Sequence, residues 1–571
     1  MVASMGNVRR FLNQKTFLVT GATGFVAKGL VEKLLRSAPE VRRIYLLIRP
    51  TRHSTVEERL EHEVFASPAF DRLREIHGSR FQMVMRSKVA AVAGDLTLDH
   101  LGLDAERYAE LTREVDIVIN SAATVVFDEQ LDLALELNTL GPRRVLTFAQ
   151  DCRNAVFLHV STAYVNGQRT GRVPEGPLPL DRSIAQVIQA EQSGGAQNGS
   201  DAPGAGYDVR REIESCVAFC RKVEADSWLP WQQLEFQRLV EREHAGREIS
   251  ESRLRHHLEN QRLRWVKRRL VDEGIRRGRE LGWHDCYTFT KAMGEQLIDL
   301  ERGELPVVLV RPSIIESSLS EPEAGFLDGL KVADPLILHY SKGRLPDFPA
   351  DPRIVLDIIP VDFVTNAIIA ALHQARRNEI QVYHVATGTE RPLKLGEMFD
   401  LIHDYFNRHP MQNRLGEAIR VRRWTFPSPE RFRRLYQIKY LIPLNTILWL
   451  MQHCSALPWS PRLKQRVSVL EATLDRVLNL IQIYRPYMFL DCQFETRNTR
   501  QLLEQMAPED RQVFDFDVQR IHWPAYIQGV HITALLRNAA REVRGAHLSG
   551  RTVRRALPED NPTRAGSVAV G

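Results

Sequence analysis

Residues 15–35 constrain the fold more than any other stretch. A short apolar run, Phe17-Leu18-Val19, passes through Thr20-Gly21-Ala22-Thr23-Gly24-Phe25-Val26-Ala27 into a helix-forming segment that ends near Leu35. A strand that is apolar on both faces must be covered above and below, and a glycine turn feeding straight into a helix supplies that cover. The pattern repeats: Ile44 to Ile48, Val89 to Ala93, Val115 to Ile119, Val156 to Val160 and Val307 to Val310 read as further buried strands with helices between them. The expected fold class is therefore α/β, a doubly wound parallel sheet of the Rossmann type.

At 571 residues the chain exceeds one ordinary core. Residues 1–14 read as an N-terminal tail and 15–390 as the first domain. Its alternation breaks between about Pro174 and Gly282, a helical insertion expected over roughly 175–282. Within it, the Gly/Ser/Ala/Asn-rich stretch from Gln192 to Gly206 reads as a flexible loop. Val209 to Leu281, charged and almost free of Gly and Pro, reads as two or three helices. Beyond Pro392 strand signals fade. Leu395, Met398, Ile402 and Tyr405 recur at helical spacing, so residues 391–545 are expected to form a separate, mainly helical C-terminal domain. Residues 546–571 lack apolar periodicity and are expected to be disordered.

The net charge is +6 and the isoelectric point about 9.0. Such a mild excess suits a polyanionic small molecule, a nucleotide or coenzyme A, and is too weak to argue for nucleic acid. The six cysteines form no CxxC pair and no Cys/His cluster at metal spacing, so no metal site is expected. With no apolar run of a signal peptide at the N-terminus, the expected compartment is the reducing cytoplasm. No stretch reaches the roughly 18 apolar residues of a membrane span. The nearest, Tyr440 to Met451, is short and interrupted by Pro443 and Asn445.

The turn after the first strand has the chemistry of a dinucleotide site. Gly21 permits the tight turn, Gly24 lets backbone approach a pyrophosphate, and Ala27 keeps the helix close to the sheet. The helix N-terminus then offers free N–H groups and partial positive charge to the phosphates. Thr20, Thr23 and Phe25 complete that loop. The second strand ends at Arg49, where an NAD site usually carries an acid. A cation there suits the 2′-phosphate of NADP, and Arg59 is a candidate second cation. At later strand ends, Asp95 and Leu96 are placed near adenine, and Ala122 and Ala123 are small where a flat ring must pass. Pro312, Ser313 and Ile314 follow the strand that ends in Arg311. NADPH is the expected cofactor.

Tyr287 and Lys291 stand four residues apart, on one helical face and one turn from each other. A nearby ammonium favours the phenolate and lowers the tyrosine pKa, which allows proton exchange with a carbonyl oxygen. Lysine can also bond the nicotinamide ribose. A hydroxyl from Ser161 or Thr162, at the end of another strand, is available to stabilise an oxyanion or to bond nearby backbone.

In these residues the chain resembles the extended short-chain dehydrogenase/reductases, and more narrowly the fatty acyl-CoA reductases. The resemblance rests on residues 15–50, Val160 to Gly167 (VSTAYVNG), Tyr287 to Leu297 (YTFTKAMGEQL), Val310 to Ser317 (VRPSIIES) and Asp357 to Val364 (DIIPVDFV). It continues more faintly at Tyr487 to Asn498 and Trp523 to Tyr526. It implies reduction of long-chain acyl-CoA by NADPH, usually through an aldehyde to the alcohol, in fatty alcohol and wax ester lipid metabolism. It implies a catalytic role for Thr162, two positions before Tyr164, and for Tyr287 and Lys291. The long insertion resembles that of the bacterial alcohol-forming type. The C-terminal membrane segment of many eukaryotic members has no counterpart, leaving peripheral contact with membrane or lipid bodies as the expectation. Tyr440 to Met451 then lines an acyl tunnel, packs as core or touches a membrane surface, with core or tunnel expected first. The insertion's arginines, among them Arg262, Arg276 and Arg277, form either a surface for coenzyme A phosphates or anionic lipid, or a solvated face balanced by glutamates.

Rival readings remain at this level. A reductase stopping at aldehyde or acting on a carrier-bound thioester shares all these motifs. A sugar-nucleotide epimerase predicts an acid where Arg49 stands, and a non-catalytic NADP-sensing protein has no need of Tyr287 and Lys291.

Overall fold

The computed structural model describes residues 6–193, 206–244, 250–330, 333–413, 415–453, 467–469, 478 and 481–548. Its centre is a seven-stranded sheet. The strands of the chain are β1 (Thr16–Thr20), β2 (Arg43–Ile48), β3 (Val89–Ala93), β4 (Ile117–Asn120), β5 (Val156–Val160), β6 (Gly171–Val173), β7 (Val307–Pro312), β8 (Ile314–Glu316), β9 (Ile358–Pro360), β10 (Ile380–Val385) and β11 (Cys492–Phe494). The large sheet runs β10-β7-β5-β4-β1-β2-β3, with every pair parallel. The order reverses beside β1, which opens a crevice at the carboxyl ends of β1 and β4.

Strand periodicity divides the core. Phe17 and Val19 join Ile44, Leu46, Ile117 and Ile119 on one face, while Leu18 joins Tyr45, Leu47, Val118 and Phe157 on the other. Successive side chains of a strand point to opposite faces, so each apolar run serves both layers at once.

Helix Cys286–Glu301, which carries Tyr287 and Lys291, is held from several sides. Asp285 caps it by accepting from the Thr288 backbone N–H at 2.8 Å. A side chain at Gly294 would meet the Asn138 carbonyl oxygen at 2.2 Å, so glycine is required where the helix crosses residues 136–140. Glu295 takes a two-pronged ion pair from the fully buried Arg311 of β7, with Nη2 at 2.6 Å and Nε at 3.0 Å. Arg311 also donates to the Gly176 carbonyl at 2.9 Å.

Several sequence expectations change. The segment read as an N-terminal tail contains a helix, Asn7–Leu12, with Val8 and Leu12 fully buried; Asp510 accepts the Val8 N–H at 2.7 Å and pairs with Arg9. Edge strand β10 was not legible because Gln381 and His384 interrupt its apolar pattern. The C-terminal region is not a separate unit. Its strand β11 pairs in parallel with β6, its Tyr526 hydroxyl donates to the Ser317 carbonyl at 2.7 Å, and Tyr526, Ile527 and Leu535 belong to the same core as Phe17 and Val19. Between Val209 and Leu281 the described residues form three helices, Val209–Ser227, Pro230–Glu243 and Glu251–Glu280. Arg262 pairs with Glu224 and Glu259, Arg276 with Glu273 and Glu280, and Arg277 with Glu212 and Glu273. These pairs make a helical face balanced by its own glutamates.

The flexible-loop reading of 192–206 and the disorder reading of the C-terminus fall largely outside the described residues, although helix Ile532–Leu548 extends into the latter. Residues 442–450, expected as core or tunnel, lie on a helix that buries only Leu444 among its described side chains. Ile442 and Trp449 are more than half exposed. No helix among the described residues is long and apolar enough to cross a membrane.

Candidate active site

The turn after β1 carries a cradle. Gly21 has φ +69°, and a Cβ there would lie 2.7 Å from the Ala122 backbone nitrogen. The position therefore demands glycine twice, for its dihedral and for the approach of β1 to the end of β4. Gly24 N–H donates to the Gly21 carbonyl at 2.8 Å, and Gly24 sits exposed as the N-cap of helix Phe25–Ser37. Open backbone at a helix N-terminus, with glycine at both ends of the turn before it, fits a pyrophosphate. Thr23 and Phe25 flank it half-buried, Phe25 against Phe326. Thr20 is fully buried, its hydroxyl donating to Asn120 Oδ1 at 2.6 Å and accepting from Ala122 N–H at 3.2 Å, so its side chain braces the turn instead of reaching a ligand.

At the end of β2, Arg49 is half-exposed and lies 4.0 Å from Asp95. Arg59, expected as a second cation for the phosphate, is engaged twice. It pairs with Glu63 at 2.7 Å and donates to the Arg49 carbonyl at 2.5 Å, so it steadies Arg49 from behind. Asp95 accepts from Thr97 N–H and hydroxyl at 2.9 and 2.8 Å. Leu96 turns into the smaller core. Ala123 is exposed at the crevice and Ala122 half-buried.

The three residues expected to be catalytic come together. The Tyr287 hydroxyl shares a hydrogen bond with Thr162. Thr162 also accepts from Tyr164 N–H at 3.3 Å and donates to the Pro312 carbonyl at 3.5 Å. Lys291 Nζ donates to the Val160 carbonyl at 2.8 Å and lies 3.4 Å from His159 Nε2. Beyond Pro312, Ser313 is buried with its N–H on the Val385 carbonyl at 3.0 Å, and Ile314 opens β8.

The electrostatics differ from the expectation for Tyr287. Burial, and then the charge of Asp285, hold its phenol above the ordinary value, while the Thr162 bond pulls the other way. Lys291 does not supply the expected depression. Burial draws the Lys291 amine itself down to about 8, against the charge of Glu295. A phenol kept protonated at neutral pH is a proton donor, the role a reduction demands.

Other residues of the site carry weak sequence signals. Thr20, Asn120, His159 and Lys291 form a buried polar chain across β1, β4 and β5, with Asn120 Nδ2 3.0 Å from His159 Nδ1. Its one local sign is a histidine inside the apolar run Val156 to Val160. Asp285 lies under the catalytic helix and is pushed up to about 6 by burial. The Tyr487 hydroxyl donates to it. Phe127 packs edge-on against Tyr287 at 5.8 Å. The sequence offers no metal spacing, yet Glu316, Asp334 and His531 meet in the interior. Asp334 lies 3.1 Å from His531 Nε2, and although burial opposes charge, the two carboxylates hold the imidazole above its ordinary pKa. Three elements distant in sequence build this cluster, which is why spacing does not reveal it.

A family model described as male sterility protein matches residues 19–368, and a second with the same description matches residues 449–539. The chain is 35% identical over 547 residues to fatty acyl-CoA reductase 2, chloroplastic, of Arabidopsis thaliana, covering 93% of this chain and 79% of that protein. It is 33% identical over 542 residues to the alcohol-forming fatty acyl-CoA reductase of Simmondsia chinensis, covering 93% and 98%. Among solved structures, the reductase domain of a non-ribosomal peptide synthetase from Mycobacterium tuberculosis aligns with a TM-score of 0.49 at 19% identity over 96% of each chain. The glycine turn thus opens a nicotinamide-cofactor domain, and likeness over 93% of its length makes this chain a member of the fatty acyl-CoA reductase family.

Proposed function

We propose that the protein reduces long-chain fatty acyl-CoA to fatty alcohol through an aldehyde, with NADPH as its cofactor. The observation that carries this reading is the Thr162–Tyr287 hydrogen bond, with Lys291 one turn further along the same helix. A bound nicotinamide supplies hydride. The Gly21–Gly24 turn would hold its pyrophosphate, Arg49 would meet the 2′-phosphate, and Lys291 would orient the ribose.

The chain's own residues do the rest. The hydroxyls of Thr162 and Tyr287 point hydrogen bonds at the thioester oxygen as it gains negative charge, a contribution of about 3 kcal/mol per well-placed donor. Collapse of the tetrahedral adduct expels coenzyme A and leaves an aldehyde. In a second reductive round Tyr287 gives its proton to the aldehyde oxygen. Burial that keeps the phenol protonated serves this direction of reaction.

The test is to incubate purified protein with NADPH and palmitoyl-CoA and identify products by mass. Hexadecanol is expected, with its rate in Tyr287→Phe lower by about a hundredfold or more. Undiminished alcohol formation by that variant, or no reduced product from the native protein, would overturn the reading.

A further inference from the structure

An apolar cavity lies beside the site. Its wall is aliphatic and aromatic apart from Glu316 and His339.

Two sets of its lining residues come from different parts of the chain. Ile314, Tyr484 and Met488 belong to the first. Ile314 stands two positions beyond Pro312, whose carbonyl accepts from Thr162. The Tyr484 ring packs edge-on against Phe127 at 5.9 Å, and Phe127 packs against Tyr287 at 5.8 Å. Met488 follows Tyr487, which bonds Asp285 at the start of the catalytic helix. The second set, Met398, Phe399 and Ile402, comes from helix Leu395–Arg408. There Phe399 is locked against Trp424 at 4.0 Å and Phe348 at 5.9 Å. The charge of Glu316 is met by His531, 3.8 Å away.

We infer that this cavity takes the aliphatic tail of the acyl substrate, entering past Tyr484 and Ile314 from the Thr162–Tyr287 site, and that Met398, Phe399 and Ile402 limit its length. The inference rests on the acyl-thioester reading above. It assigns the tail to a pocket made jointly by the sheet domain and the C-terminal helices, and not to residues 440–451, none of whose described side chains lines it. An unbranched chain needs only carbon contacts, and the wall offers those. Each methylene that enters an apolar site adds roughly fourfold to binding.

Met398→Trp adds bulk at the second set without touching Thr162, Tyr287 or Lys291. Its kcat/KM for stearoyl-CoA is expected to fall about tenfold or more relative to octanoyl-CoA when each is compared with the native protein. Leu336→Trp, at a half-buried wall position, repeats the test should Met398→Trp not fold. An unchanged chain-length profile in a folded variant overturns the assignment. Binding of the fluorescent fatty acid cis-parinaric acid gives a readout independent of turnover: native protein is expected to bind it, palmitate to displace it, and the tryptophan variant to bind it at least about tenfold more weakly. If the native protein reduces no acyl-CoA, the functional reading fails, while equal probe binding by native and variant protein, or none by either, overturns the cavity assignment.

Discussion

The Tyr487 hydroxyl donates a hydrogen bond to the buried carboxylate of Asp285, across 202 residues of sequence. Asp285 caps the helix that presents Tyr287 and Lys291. The C-terminal region thereby holds this helix at its first turn.

Removing that donor in Tyr487→Phe is expected to cost about 1.5–3 kcal/mol of stability, the range for a hydrogen bond to a charged group. Asp285 has a folded pKa of about 6 against an ordinary 3.8, so between those values the folded state holds more protons than the unfolded one. Its contribution to stability therefore falls as pH rises through this window. With one donor fewer, the carboxylate is harder to ionise and the fall steepens. Urea unfolding of both proteins at pH 5 and at neutral pH checks this; an equal loss at both would contradict it.

Lys291 gives an alkaline limit. Its folded pKa is about 8, below the ordinary 10.5, so its ammonium is lost as pH rises through about 8. The fall in kcat/KM for acyl-CoA is expected to show an apparent pKa near 8, and Lys291→Met to lose about a hundredfold in activity together with this limb. In the same window the folded state holds fewer protons than the unfolded one, so the lysine's contribution to stability rises between about 8 and 10.5. A pH–rate profile flat to pH 9.5 (roughly the midpoint of that window) would count against the role.

The reading that Arg49 meets a 2′-phosphate can be tested with the two nicotinamide cofactors. Arg49→Ala is expected to weaken NADPH binding about tenfold or more, the worth of one charge-assisted hydrogen bond, and to leave NADH binding nearly unchanged. Titration of intrinsic fluorescence with each cofactor measures both. Equal weakening would remove Arg49 from the 2′-phosphate.

Glu295 and Arg311 form a buried ion pair, at 1% and 0% side-chain exposure. Glu295→Ala strands the guanidinium with the Gly176 carbonyl as its remaining short contact to oxygen, and is expected to cost about 3–5 kcal/mol. Glu295→Gln keeps an acceptor and should lose less. Denaturant unfolding of the three proteins gives the order.

Much of the site could be read along the chain because its chemistry is local. Gly21 is marked by a turn that only glycine makes easily, Arg49 by its place at a strand end, and Tyr287 and Lys291 by a spacing of one helical turn. The parallel sheet was legible because strands covered on both faces are continuous apolar runs; β10, at the sheet's edge and interrupted by Gln381 and His384, was not.

What the sequence by itself determined is the class of sheet, the turn that opens the cofactor domain and the placing of Tyr287 and Lys291 one helical turn apart, all set by residue type and short-range periodicity. Only the tertiary structure decided how those side chains are tuned. It buries Lys291 against Val160 and His159 and sets Asp285 beside Tyr287, so the amine is depressed and the phenol raised, opposite to the effect on the phenol that spacing alone suggests. It also weaves β11 and Tyr487 into the first domain and closes an apolar cavity between Ile314 and Phe399. The physical reason is the same throughout: burial and charge act through space, between residues far apart in sequence, and such contacts leave no periodic mark on the chain.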